Sequence, residues 1–279
     1  MFDLSIFDLP ILTARCDWIT AYVGNALTQD EMRVLVETEQ AMAKDAGDVS
    51  RPWSFHGFRG AAVGSWRWGV GDSGMVVQVS GNDAHKYPLA LAQLSTSWSR
   101  VDYAVDVQDK SQLVLSALGL WEEFRERREP DAGRSKAGII ADNEGGETFL
   151  RGSRASGRYG RVYNKHSESP QEYPPGTWRW EVEIKGHLAK QERQRVLTRA
   201  FGHEYVLNTV STVWRDWGIG VPWRGLAVPA WQGKVRHARG ADLKLAWLSK
   251  QVRPTVEWLL ERRSEREVLS ALGFTTTGA

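Results

Sequence analysis

The sequence predicts an α+β protein: a mostly antiparallel central sheet carrying the active site, flanking helices, and a helical C-terminal part. Three observations predict it. Runs that alternate with period two, such as VDYAVDV at 101–107 and RWEVEIK at 179–185, read as strands with one polar and one apolar face. Runs with helical spacing lie between and after them without the regular βαβ alternation of a doubly wound parallel sheet. The last third turns helical, so residues 1–186 read as the α+β core and 187–279 as a helical part packed on the same domain.

The elements follow in order. Asp17 to Val23 reads as a first strand and Gln29 to Ala46 as a helix, with Thr28 and Glu31 as a capping box. Asp45 to Pro52 is a loop. Phe55 to Gly81 is a meander of short aromatic and β-branched strands, with Gly71-Asp72-Ser73-Gly74 as a hairpin turn. Lys86 to Trp98 is a short helix with Pro88 in its first turn. The strand Val101 to Val107 is followed by an amphipathic helix from Ser111 to Arg128. Pro130 to Gly146 is a linker holding a short strand at Ala137 to Ala141. Two strands, 160–166 and 178–185, flank a Pro/Gly-rich connector. Leu188 to Asn208 is a charged helix continued by Val210 to Trp217. Helices at Asp242 to Arg263, kinked by Pro254, and from Ser264 to Gly273 close the chain.

Composition narrows the function classes. The chain has 279 residues with a formal net charge of +2, so overall charge decides nothing. The stretch 151–161 holds four arginines and no acid, which suits a polyanion, although such runs are commonly solvated loops. A single cysteine, Cys16, excludes an intrachain disulfide and a CxxC metal site and fits a reducing cytoplasm. The N-terminus carries Asp3 and Asp8 where a signal peptide would be basic, and no run is long and apolar enough for a membrane span. Most of the 14 tryptophans lie within apolar alternation, which favours a core over base stacking.

HEXXH, P-loop and GXSXG motifs are all missing, and the six histidines show no HxH or i,i+4 pairing. Carboxylates on strands are present instead. Asp102 and Asp106 lie roughly 13 Å apart at ~3.3 Å per residue, so they cannot both grip one ion on a straight strand. One of them with Glu181 from a nearby strand is an easier pair, and oxygen ligation favours Mg²⁺ or Mn²⁺. Salt bridges to Arg161, Arg179 and Lys165 explain the same acids equally well. Tyr163, between Arg161 and Lys165, is the candidate nucleophile, because flanking cations favour a phenolate. Packing of the ring is the bland reading. Tyr159, in a Gly-rich loop, is a second candidate.

The segments GETFLRGSRASGRYGRVYNK and GTWRWEVEIKGHLA, with RVDYAVD at 100–106, VQVSG at 77–81 and LAWLSKQVRPTVEWLL at 245–260, resemble the replication initiation factor family in sequence order. These are rolling-circle initiators of plasmids and filamentous phages and relaxases of conjugative elements. The resemblance implies a metal-dependent DNA nickase and strand transferase that joins a tyrosine to a 5′ phosphate. It implies Tyr163 as nucleophile, Arg161 and Lys165 as phosphate-stabilising groups, and Asp102 and Glu181 as ligands of Mg²⁺ or Mn²⁺, followed by Asp106 and Glu183. Arg151, Arg154 and Arg158 are the candidate DNA-binding residues. Leu150 stands where the family usually has an aromatic residue. The implied partners are single-stranded or hairpin origin DNA and a host helicase and polymerase, with room for a homodimer and none for a membrane. The implied setting is the bacterial cytoplasm. No separate N-terminal helix-turn-helix is expected. A non-catalytic DNA-binding regulator and a nuclease using water are the competing readings.

Overall fold

The structure, a computed structural model, describes residue 4 and residues 7–24, 26–126, 136–141 and 146–223. The helices expected at 242–263 and 264–273 lie outside the described residues. The elements run β1 (Ile11–Val23), α1 (Ala26–Asp45), β2 (Arg51–Phe55), β3 (Phe58–Val63), β4 (Trp66–Gly71), β5 (Gly74–Ser80), α2 (Gly81–Lys86), α3 (Pro88–Leu94) and β6 (Ser97–Gln108). They continue with α4 (Ala117–Glu126), β7 (Ala137–Ala141), β8 (Glu147–Gly152), β9 (Arg158–Asn164), α5 (Lys165–Glu168), β10 (Thr177–Lys185), α6 (His187–Thr198) and α7 (His203–Asp216).

The strands among the described residues form one ten-stranded sheet, in the order β2-β3-β4-β5-β1-β6-β10-β9-β8-β7. Every pairing is antiparallel. The fold is therefore α+β with a fully antiparallel sheet. The two strands read as the polar-faced pair, β9 and β10, are neighbours, and β6 lies on the other side of β10.

One sheet face is apolar. Val101, Tyr103, Val105 and Val107 of β6 lie beside Trp178, Trp180, Val182 and Ile184 of β10, all of them buried. Helix α7 brings Val206, Val210 and Trp214 onto this face, where Trp180 meets Trp214 edge to face at 5.2 Å and Trp223 at 5.4 Å. Such pairs add to the burial of their large surfaces. Gly160 of β9 lies under this cluster: a Cβ there would come within 2.5 Å of Trp217 and 2.8 Å of Trp214. Helix α1 covers the far end, with Gln40 Oε1 accepting from Trp68 Nε1 at 3.3 Å.

Five boundaries differ from expectation, most with a local cause. Strand β1 starts at Ile11, not Asp17, and its register shifts between Cys16 and Trp18. That bulge puts Cys16 beside Tyr103 and Trp18 beside Asp102, on opposite faces, which hides the alternation. Strand β2 takes in Arg51 and Pro52, the last two residues of the expected loop, because Pro52 is tolerated on an edge strand. Helix α4 begins at Ala117 rather than Ser111. The Asp109 carboxylate accepts from the amides of Ser111, Gln112, Val114 and Leu115 and holds that stretch in a turn. The helix expected to run from Leu188 is broken after Thr198, and Phe201 in the break packs on Tyr205 and His85. The helix expected over Lys86 to Trp98 is shorter, α3 at Pro88–Leu94; α2 ends where it was to begin, and β6 has started by Ser97.

Candidate active site

The second sheet face is polar, and strand register sorts its side chains into rows. Directly opposed residues of antiparallel strands share a face. One row runs Thr13, Asp106, Arg179, Tyr163, Thr148 across β1, β6, β10, β9 and β8. The next runs Arg15, Ala104, Glu181, Arg161, Leu150. The third runs Trp18, Asp102, Glu183, Tyr159, Gly152. The tyrosine, the four acids, Arg161 and Arg179 thus lie on one face.

Tyr163 ends β9. Asn164 then caps α5, its side chain accepting from the Ser167 amide at 3.0 Å. The chain turns there, so Lys165, two residues after Tyr163, stays close to its ring and pairs with Glu168. The Arg161 guanidinium is 5.5 Å and the Lys165 ammonium 5.8 Å from the centre of the Tyr163 ring. The phenol hydroxyl donates to Glu181 Oε2 at 3.4 Å, and Arg161 Nη2 holds Glu181 Oε1 at 2.6 Å. These residues open on a cleft of 220 Å³ lined by Glu147, Thr148, Arg161, Tyr163, Asn164 and Ser167, among others.

The flanking cations do not produce a resting phenolate. Burial, and after it the Glu181 carboxylate, push the Tyr163 pKa upward and outweigh Arg179 and Arg161. The hydroxyl is protonated at neutral pH and needs a base to become a nucleophile.

Asp106 is fully buried and held by Arg179 through two bonds, at 2.6 and 2.9 Å, with Thr13 Oγ1 donating to it at 2.7 Å. It belongs to a sheet ion pair rather than to an open ligand set. Asp102 and Glu183 face each other across β6 and β10, and Arg100 Nη2 bridges them at 2.5 and 2.9 Å. Asp102 is pushed up to about 7, first by burial, with Glu181 and Glu183 adding to the rise against Arg100. Glu183 Oε1 is buried without a hydrogen bond of good geometry, although Lys185 Nζ stands 2.6 Å away.

Among the described residues no group of three or more His, Cys, Asp or Glu side chains is arranged to hold a metal ion. The paired Asp102 and Glu183, one carboxyl crowded toward protonation and the other with an oxygen held only by an ion pair, fit a hard cation that takes one or two carboxylates and keeps its waters. Arg100 occupies that position.

The three arginines expected on DNA part company. Arg151 points to the helical face, buried, with its guanidinium 4.4 Å from the Phe124 ring and Nη1 donating to the Lys136 carbonyl. Arg158 pairs with Asp216 at 3.1 Å at the end of α7. Arg154 is exposed and lies over the Tyr159 ring at 5.3 Å, which leaves that tyrosine buried.

Sequence reasoning missed Tyr173, in the connector read only as Pro/Gly-rich. Its hydroxyl accepts from Arg179 Nη2 at 3.0 Å and from Arg15 Nη2 at 3.2 Å. His166 Nδ1 donates to its carbonyl at 2.7 Å, and Lys165 Nζ lies 5.2 Å from its ring. The one available signal was a lone aromatic beside Pro174-Pro175, too common a feature to single out.

The fold and the polar face define an α+β protein with a tyrosine-and-carboxylate site on an open sheet. No family model matches the chain, and no curated protein matches it in sequence. Among solved structures, a rolling circle replication initiator protein from Geobacillus stearothermophilus matches it with a TM-score of 0.51, over 80% of this chain and 89% of that one, at 15% sequence identity. The chain shares the fold of that initiator. No helix among the described residues is long and apolar enough to cross a membrane.

Proposed function

We propose that this chain initiates rolling-circle replication by nicking one DNA strand at an origin and later rejoining it. The observation that carries the reading is the cluster of Tyr163, Glu181, Arg161 and Lys165, of which Tyr163 and Arg161 line a cleft, on the sheet of an initiator fold. The Tyr163 oxygen attacks the phosphorus, and its proton passes to Glu181, the carboxylate already within 3.4 Å. The bond from phosphorus to the 3′ oxygen breaks, and that oxygen leaves as a hydroxyl after taking up a proton. The strand keeps its 5′ phosphate as an ester of Tyr163. Attack by a 3′ hydroxyl reverses the step and frees the tyrosine. Arg161 and Lys165 counter the charge that grows on the phosphate oxygens. Asp102 and Glu183 are the residues that would hold Mg²⁺ or Mn²⁺, which would supply further positive charge against the phosphate.

A helicase and a polymerase are then separate proteins. A second assignment of the nucleophile, Tyr173, is favoured by the two arginine donors on its hydroxyl. The test is a cleavage assay on single-stranded origin oligonucleotide with Mn²⁺. Tyr163→Phe is expected to bind DNA yet form no covalent adduct, while Tyr173→Phe still forms one. Peptide mass mapping of the wild-type adduct to Tyr173 would move the nucleophile there. Free 5′ ends with no adduct would show that water attacks instead.

A further inference from the structure

The polar face does not stop at the acids. Beyond β1 it continues across β5 and β4 to the ribbon of β2 and β3, and there its character changes. Register places Arg51, Arg67, Thr20 and Arg100 in one row, and so puts Trp53, Phe55 and Phe58 on the same face as Asp102 and Tyr163. None of the residues that β2 to β5 present on this face is acidic. Trp53 and Phe55 are partly exposed and stacked, with ring centres 5.9 Å apart and planes within 6°. Gly60 and Gly69 are the cross-strand neighbours of Trp53. A Cβ on Gly60 would meet the Trp68 carbonyl at 2.1 Å, so close strand crossing keeps the floor beside Trp53 as bare backbone. Between this ribbon and the acids lies Trp18, partly exposed, with the Arg67 guanidinium at 5.2 Å and that of Arg100 at 5.0 Å from its ring.

Flat, parallel aromatic rings interleaved with arginines and free of carboxylates are the means by which proteins hold single-stranded nucleic acid without reading its sequence: bases stack on rings and phosphates meet cations. We infer that single-stranded DNA flanking the nick runs across this face, from the Tyr163 cleft past Trp18 to a stacking platform of Trp53 and Phe55. From β9 to β2 there are seven strand intervals, roughly 34 Å before twist at ~4.8 Å each. That accommodates on the order of ten nucleotides at the stacked spacing of ~3.4 Å. The platform thus holds the strand at a distance from the chemistry. This inference rests on the nicking function proposed above and adds a second binding site to it.

The experiment compares two labelled origin oligonucleotides by fluorescence anisotropy. One is long enough to reach β2 and the other fills only the Tyr163 cleft. The Trp53→Ala/Phe55→Ala double variant is expected to lose at least tenfold in affinity for the long strand and nothing for the short one. Adduct formation on the short strand is expected to persist. Trp53→Phe, which keeps a stacking ring, restores most of the loss, and Arg67→Gln lowers the salt dependence of long-strand binding. Circular dichroism checks that the variants are folded. A folded double variant that binds both strands like the wild type overturns the platform while leaving the nicking reading intact. Wild-type protein that binds neither strand overturns both. Loss of self-association in the double variant, with DNA binding unchanged, would make the ribbon a contact between copies of the chain and overturn the inference.

Discussion

At the scale of single residues the site is built from paired charges. Asp102 lies between Arg100, which favours its ionised form, and burial with two further carboxylates, which oppose it. A carboxyl held above its ordinary value binds its proton more tightly in the folded chain than in the unfolded one. Stability from this group is therefore present in acid and is lost as pH rises from about 4 to about 7. On the proposed function a divalent ion would compete with that proton and with Arg100. Thermal melts with Mn²⁺ are expected to show a larger gain in Tm at pH 8 than at pH 5. Asp102→Asn is expected to abolish the gain and flatten the pH dependence. An equal gain in both proteins would place the ion elsewhere.

At the scale of elements, β9 shows how one strand serves both faces. Arg161 and Tyr163 point to the acids, while Gly160 and Val162 lie under the helices. Gly160→Ala adds a methyl where Trp214 and Trp217 already stand within 2.8 Å. Overpacking of this kind costs about 1–3 kcal/mol. The urea midpoint is expected to fall accordingly, with adduct formation retained at permissive temperature. The alternation that makes β6, β9 and β10 legible in sequence is strict, with no register shift between β10 and either neighbour. So the face shared by Asp102, Glu181 and Tyr163 can be read from residue order alone. Elements governed by side chains escape such reading. The Asp109 carboxylate delays α4, and the bulge after Cys16 inverts the alternation of β1. The fate of Arg151 was equally hidden. A charge in a basic run reads as solvent-facing, yet its strand parity sends it to the helical side, beneath Phe124 and Trp217.

At the scale of the whole molecule, the order of the strands matters more than their number. The first strand and the last, β1 and β10, flank β6 at the middle of the sheet. Contacts this far apart in sequence make local assembly insufficient and folding slow. Helices α6 and α7 are no appendage either, because they cover the apolar faces of β6 and β10. A chain ending at Lys185 would leave Trp178, Trp180 and Val182 in water. It is expected to show no cooperative melt and to aggregate, as judged by calorimetry and light scattering. The acids and cations of the open face are no less interdependent, though no backbone bond joins them.

Each acid at the site rests against a cation of the same face: Glu181 on Arg161, Asp102 and Glu183 on Arg100, Asp106 on Arg179. The face is thus close to neutral at rest, and an arriving phosphate must take a guanidinium away from its carboxylate. That exchange has a thermodynamic corollary. When a strand draws Arg100 or Arg161 to its backbone, the carboxylate left behind becomes a better ligand for a cation. When a cation takes the carboxylates, the arginine is released for the strand. On the proposed function, DNA and divalent ion would then be positive heterotropic effectors of one another, each raising the affinity for the other by the same factor.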